Sequence, residues 1–184
     1  MIIPNGLQAL EIERESLTSS VASALITTLN AELSALYPEP GATHFSLDPN
    51  EVAPGSGIFI VARWLGRPIG CGALRRVSDA TLVRELGANV GELKRMYVGQ
   101  EMRGQGVGRA LLDRLEAEAR TLGLARLVLE TGTRQLEALA LYRRAGFTLI
   151  PAYGEYAASS TTSVCMAKEL LESPQRMPPV TPSR

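Results

Sequence analysis

The sequence predicts a single α/β (α+β) domain, on three observations. Between residues 92 and 150 apolar patterns follow in the order strand, helix, strand, helix, strand. Ahead of them two β-branched and aromatic runs flank the breaker Gly66-Arg67-Pro68, the mark of a hairpin. The chain has 184 residues, 45% hydrophobic and 21% charged, which is material for one core, and no internal repeat or second domain is visible.

Taken in order, residues 7–14 alternate imperfectly and suit a first strand, although their Leu, Glu and Arg content also suits a helix. From Ser16, the residues Leu17, Val21, Ala24, Leu25, Leu29, Leu33 and Leu36 recur at helical spacing until Pro38 and Pro40 stop the run. Residues 38–57 are rich in turn formers and read as a long loop. Residues 57–64 (GIFIVARW) and 69–77 form the hairpin, and 79–91 are ambiguous. Residues 92–98 (ELKRMYV) read as a strand. A glycine-rich turn, 103–108, leads into a helix over 107–122 that carries Val107, Leu111, Leu115, Ala119 and Leu122 on one face and stops at Gly123. Residues 126–131 are a strand, 135–145 a helix ended by Gly146, 147–150 a strand and 163–168 a last strand. Ser173 to Arg184 hold four prolines and almost no apolar partners, so 1–172 are expected to be the domain and 173–184 a disordered tail.

Composition excludes several classes of function. Nineteen Lys and Arg balance nineteen Asp and Glu, so no global field attracts nucleic acid or a membrane surface, and any anion site must be local. Cys71 and Cys165 stand alone in apolar strands and suit small core residues; with no clustered histidines, neither a disulfide nor a metal site is expected, and a reduced cytoplasmic setting is the default. His44, the sole histidine, lies in a loop without a nucleophile elbow. No segment approaches the roughly 18 uninterrupted apolar residues that span a bilayer, so no membrane association is expected.

The chemistry-bearing signal is Arg103-Gly104-Gln105-Gly106-Val107-Gly108, between a strand and a convincing helix. Glycines there let backbone N–H groups converge on a phosphate while the helix N-terminus adds partial positive charge, and Arg103 can add a charge-assisted contact. A P-loop would need Lys-Ser or Lys-Thr after the last glycine, where this chain has Arg109-Ala110. A dinucleotide fold wants an acidic residue about twenty positions on, and Glu130 is spaced ambiguously. A plain turn is the remaining alternative.

Glu92-Leu93-Lys94-Arg95-Met96-Tyr97-Val98, the loop 103–108, and Leu141-Tyr142 with Ala145-Gly146-Phe147, in this order and spacing, resemble the GNAT superfamily of acyl-CoA-dependent N-acyltransferases over about residues 57–170. Arg103, Gly106 and Gly108 match that family's Q/R-x-x-G-x-G/A element. The resemblance implies a mixed, twisted, mostly antiparallel sheet flanked by helices and splayed between the Glu92 strand and the Arg126 strand, with acetyl-CoA in the cleft. It implies cofactor contacts from Met96, Tyr97, Val98 and from Arg103, Gly104, Gln105, Gly106, Val107, Gly108 and Arg109. Met96 and Val98 would pair the pantetheine arm as a pseudo-strand, and a bulge near Met96 or Tyr97 would free a main-chain N–H for the oxyanion. Tyr142 would be the general acid for the leaving thiolate. Many relatives have Asn where this chain has Gln135, whose longer stem can reach the same contact.

Transfer to an amine also needs proton removal, and Glu92 is the candidate base, six residues before Val98 and so on the same face of a regular strand. Its alternatives are a contact to the substrate's cation or a structural charge paired with a nearby Lys or Arg. Lys94 shares that face, as a substrate group or a solvated lysine. Arg75 and Arg76 could bind a substrate carboxylate or lie exposed on the hairpin, and Tyr153 and Tyr156 could line the acceptor pocket or pack. The expected activity is acetyl transfer from acetyl-CoA to a primary amine of a small molecule or peptide in a ternary complex. The alternative is a non-catalytic acyl-CoA-binding protein of the same fold. Homodimers are common among resembling proteins, though no residue here requires one.

Overall fold

Seven strands form one sheet in the order β1-β2-β3-β4-β5-β7-β6. The computed structural model describes residues 9–39, 47–159 and 161–170. β1 (Leu10–Arg14), β2 (Gly57–Trp64), β3 (Arg67–Arg76) and β4 (Val90–Val98) form an antiparallel run, each paired with the next. β5 (Arg126–Gly132) is parallel to β4, with the helix α3 (Val107–Thr121) as crossover, as a parallel pair requires. β7 (Ser163–Glu169) inserts between β5 and the two-residue edge strand β6 (Thr148–Leu149). The resemblance's mixed, mostly antiparallel sheet is therefore what the chain forms.

Helices cover both faces. α3 and α4 (Leu136–Arg144) lie on one, sharing a core with Leu74, Leu93, Leu127, Leu129 and Met166. Leu111, Leu112 and Leu115 of α3 are fully buried there, each worth about 1.5–3 kcal/mol of transfer free energy. α1 (Ser20–Leu36) covers the opposite face over Phe59, Val61, Cys71, Ala73 and Tyr97. Ser19 caps α1 by accepting from the Ala22 N–H. Its inward face is shifted from the expected one, with Ala22 buried and Ala24 exposed.

The ambiguous stretch 79–91 resolves into α2 (Ala80–Leu86), capped by Asp79, followed by the first residues of β4. Seven residues show too few turns for a period to be read, and the Asp79 cap was its best local signal. α2 joins a second core on the α1 side with Val90, Val128, Cys165, Tyr153 and Tyr156. The last two belong to a 3₁₀ segment, Gly154–Ser159, and its approach, within what read as polar loop. The sixth expected strand, 147–150, shortens to β6 because Phe147 turns into the α3 core. His44 and the tail beyond Leu170 lie outside the described residues.

Candidate active site

Strands β4 and β5 pair only from Val90 with Arg126 to Leu93 with Leu129. Beyond that point Glu130, Thr131 and Gly132 stay with β7 while Lys94 to Val98 stay with β3, so the two strands part and β4 presents an open main-chain edge. An open edge of this kind accepts an extended ligand as an added strand. Arg95 has φ +57° and the register with β3 slips opposite Gly72, which makes this the expected bulge. A Cβ on Gly72 would lie 2.7 Å from Met96 Sδ, so only glycine leaves Met96 its place on the α3 side.

The bulge corrects one expectation. Glu92 and Val98 do not share a face. Glu92 and Lys94 face the second core, Arg95 and Tyr97 turn toward α1, and Met96 and Val98 pack on the α3 side. The inserted residue inverts the alternation after Lys94.

Past β4 and a 3₁₀ turn (Gln100–Met102), Gly104 and Gly106 adopt φ +74° and +86°, and Gly106 starts α3 with no side-chain cap. The first helical bond runs from the Ala110 N–H to the Gly106 carbonyl, so the N–H groups of Val107, Gly108 and Arg109 lie outside the helical ladder, as an anion cradle requires. The side chains expected to help are engaged elsewhere. Arg103 donates to Glu32 of α1 at 2.6 Å and to the Val98 carbonyl at 3.0 Å. Arg109 pairs with Asp113 one turn on, and Gln105 Nε2 donates to the Glu101 carbonyl. The cradle in this structure is main chain.

α4 packs against the head of α3 through Leu141, whose side chain comes to 3.4 Å of where a Gly108 Cβ would be, and Tyr142 is the next residue of α4. Tyr142 is buried, edge-to-face on Phe147 at 5.8 Å between centroids, and among the described residues its hydroxyl has no hydrogen-bond partner. Burial, with the Glu130 charge behind it, raises its pKa and keeps the phenol protonated. Gln135 stands at the N-cap position of α4 without a side-chain capping bond, its Oε1 instead accepting from Thr131 Oγ1 (2.7 Å) and the Gly132 N–H (2.8 Å) ahead of the helix. That oxygen is used within the protein rather than offered to a ligand.

Glu92 is the most heavily bonded side chain of the site. Arg75 donates to Oε2 from Nε at 2.7 Å and from Nη2 at 2.6 Å, while Tyr153 and Tyr156 donate to Oε1 at 3.0 and 2.8 Å. Arg75 also pairs with Glu51. It is thus neither an exposed strand residue nor a free receptor for a substrate carboxylate, and Arg76 donates to the Leu122 carbonyl. Tyr153 and Tyr156 are buried, with hydroxyl pKa values raised first by burial and then by Glu92. Lys94 is not solvated. Its side chain is 6% exposed, and Glu155 is 3.7 Å from Nζ. No spacing rule links Glu92 to Tyr153 or Tyr156, Arg75 to Glu51, or Arg103 to Glu32, so sequence reasoning had no signal for these pairs. Cys71 is buried and donates to the Arg95 carbonyl, its pKa raised to about 12 by burial, and Cys165 is buried too. Both are core residues, as expected. Among the described residues no helix is long and apolar enough to cross a membrane.

An open strand edge, an uncapped helix N-terminus and a buried, protonated tyrosine are together a combination suited to an extended, phosphate-bearing ligand. The profile of the acetyltransferase (GNAT) family matches residues 22–147. The IAA acetyltransferase of Azospirillum brasilense is 39% identical over 145 residues, 79% of this chain and 88% of that protein. A crystal structure of a candidate acyl-CoA N-acyltransferase from Klebsiella pneumoniae superimposes with a TM-score of 0.71 at 32% identity, covering 88% of this chain and 98% of that one. The YncA protein of Salmonella typhimurium, solved with its cofactor acetyl-CoA, shares the fold (TM-score 0.63, 19% identity, 91% and 97% covered). The chain belongs to the GNAT acetyltransferase family, and it is an enzyme of acetyl-CoA-dependent acyl transfer.

Proposed function

We propose that the chain moves an acetyl group from acetyl-CoA to a primary amine of a small molecule or peptide, by direct transfer with both substrates bound. The parting of β4 from β5 next to the uncapped α3 N-terminus is the observation that carries this reading. The N–H groups of Val107, Gly108 and Arg109 hold the pyrophosphate, and the open edge of Lys94 to Val98 pairs the pantetheine arm. Main-chain N–H groups beside the Arg95 bulge stabilise the oxyanion. Tyr142 gives its hydroxyl proton to the sulfur as the carbon–sulfur bond breaks. Its raised pKa keeps that proton in place until a thiolate forms.

Glu92 takes a positioning role in this reading. Four donors saturate its two oxygens, which leaves an incoming ammonium no direct approach, so Glu92 fixes Arg75, Tyr153 and Tyr156 as one wall of the acceptor site. The amine sheds its proton to water at the mouth. Release of free thiol from acetyl-CoA, followed across amino acids, polyamines, aminoglycosides and peptides, tests the proposal. Turnover with one amine class supports it, and acetyl-CoA binding without amine-dependent thiol release across the panel contradicts it.

A further inference from the structure

Lys94 is the first residue of β4 past the last pair with β5, and so stands at the fork where the strands part. Its side chain is 6% exposed and Nζ, fully shielded from solvent, has no hydrogen-bond partner. Glu155 lies 3.7 Å away, beyond hydrogen-bond reach and half-exposed, and the Tyr156 ring centre is 5.8 Å away. The remaining charges around Nζ are Glu92, already bonded by Arg75 and two tyrosines, Arg75 itself, and Arg95, which the bulge turns to the same face. A buried ammonium without a hydrogen bond is costly, and native proteins supply such groups with a partner.

The fork fixes what that partner can be. The α3 face holds the phosphate cradle and Tyr142, so an acceptor must come to the acyl group from the other face. There Lys94 links the 3₁₀ segment through Glu155, and Arg95 links α1 by donating to Asn30 Oδ1 at 3.3 Å. We propose that Lys94 is the receptor for a carboxylate on the acceptor, so that the substrate of this enzyme is an amino acid or another small amino-carboxylate. This rests on the acyl-transfer reading above and adds the acceptor's chemical class. One singly charged carboxylate matches the one ammonium that lacks a hydrogen bond among the described residues. Its binding at the fork holds the neutral amine at the acyl carbon, where the nitrogen forms its bond as the carbon–sulfur bond breaks, the nitrogen's surplus proton leaves to water, and the thiolate takes the Tyr142 hydroxyl proton, which water replaces.

The test compares each proteinogenic amino acid, β-alanine and 4-aminobutyrate with its own carboxamide by thiol release, in the wild type and in Lys94→Met and Lys94→Arg. In the wild type kcat/KM favours the best acid over its amide by about 10- to 100-fold, the range of a charge-assisted hydrogen bond, chiefly through KM. Lys94→Met brings that ratio to about one while acetyl-CoA affinity by calorimetry stays within about twofold of wild type. Lys94→Arg restores most of the preference. Equal use of acids and amides by the wild type, or an unchanged ratio in Lys94→Met, overturns the carboxylate and leaves acyl transfer standing. Thiol release with no amine of either series, alongside turnover of a polyamine, aminoglycoside or peptide, overturns the carboxylate and leaves acyl transfer standing; no amine-dependent release from any of these classes overturns both.

Discussion

At the residue scale, the proposed chemistry falls to Tyr142 and the proposed framework to Glu92. Tyr142 touches the core with its ring and leaves its hydroxyl unbonded, so Tyr142→Phe removes a proton donor and keeps the packing on Phe147. It should lower kcat by about 10²- to 10⁴-fold, the usual contribution of a general acid, and leave the acetyl-CoA dissociation constant unchanged. Steady-state kinetics beside calorimetry separate the two, and parallel loss of both would make the residue a packing tyrosine. Glu92→Gln is the converse case. It leaves Arg75 buried against Glu51 alone and removes the charge that both tyrosines bond, so stability should fall by about 3 kcal/mol, roughly 6–12 °C in Tm. The acidic limb of the kcat/KM profile should persist in this variant. Its disappearance would make Glu92 the base.

At the element scale, the glycine loop and the bulge place everything else. Gly106 sits at φ +86° at the head of α3, where a side chain costs about 1–2 kcal/mol and crowds the cradle. Gly106→Val should therefore weaken acetyl-CoA binding by at least about tenfold, read by calorimetry, and wild-type affinity would count against the cradle. This element was legible in the sequence because glycine spacing before a period-3.6 helix is a local signal. The hairpin and the β4-α3-β5-α4 run were legible for the same reason. A bulge near Met96 or Tyr97 was expected by resemblance alone; its position at Arg95 and its effect on side-chain direction were not, since nothing in ELKRMYV marks where the alternation inverts. Long-range partners were the least legible: Glu92 meets residues 61 and 64 positions away, and which carboxylate a buried arginine finds is decided by the tertiary fold.

At the scale of the whole molecule, burial of acids sets the response to alkali. Cys71 is raised from 9.0 to about 12, Cys165 from 9.0 to about 11 and Tyr97 from 10.0 to about 12, in each case first by burial. An acid with a raised folded pKa keeps its full contribution below the unfolded value and loses it as pH climbs toward the folded one, because the unfolded chain ionises first. Stability to denaturant should hold up to about pH 9 and fall steeply between about 9 and 12, measured by urea unfolding at stepped pH. A flat profile over that range would mean that these groups are open to water. The same sheet that buries them leaves one interior edge unpaired, from Lys94 to Val98, the edge proposed to take the carrier. Amide hydrogen exchange with and without acetyl-CoA reads this most directly. Acetyl-CoA should slow exchange at Lys94 to Val98 and at Val107 to Arg109 while leaving the already paired Val90 to Leu93 unchanged; protection absent from both stretches, or confined to other parts of the sheet, would contradict it.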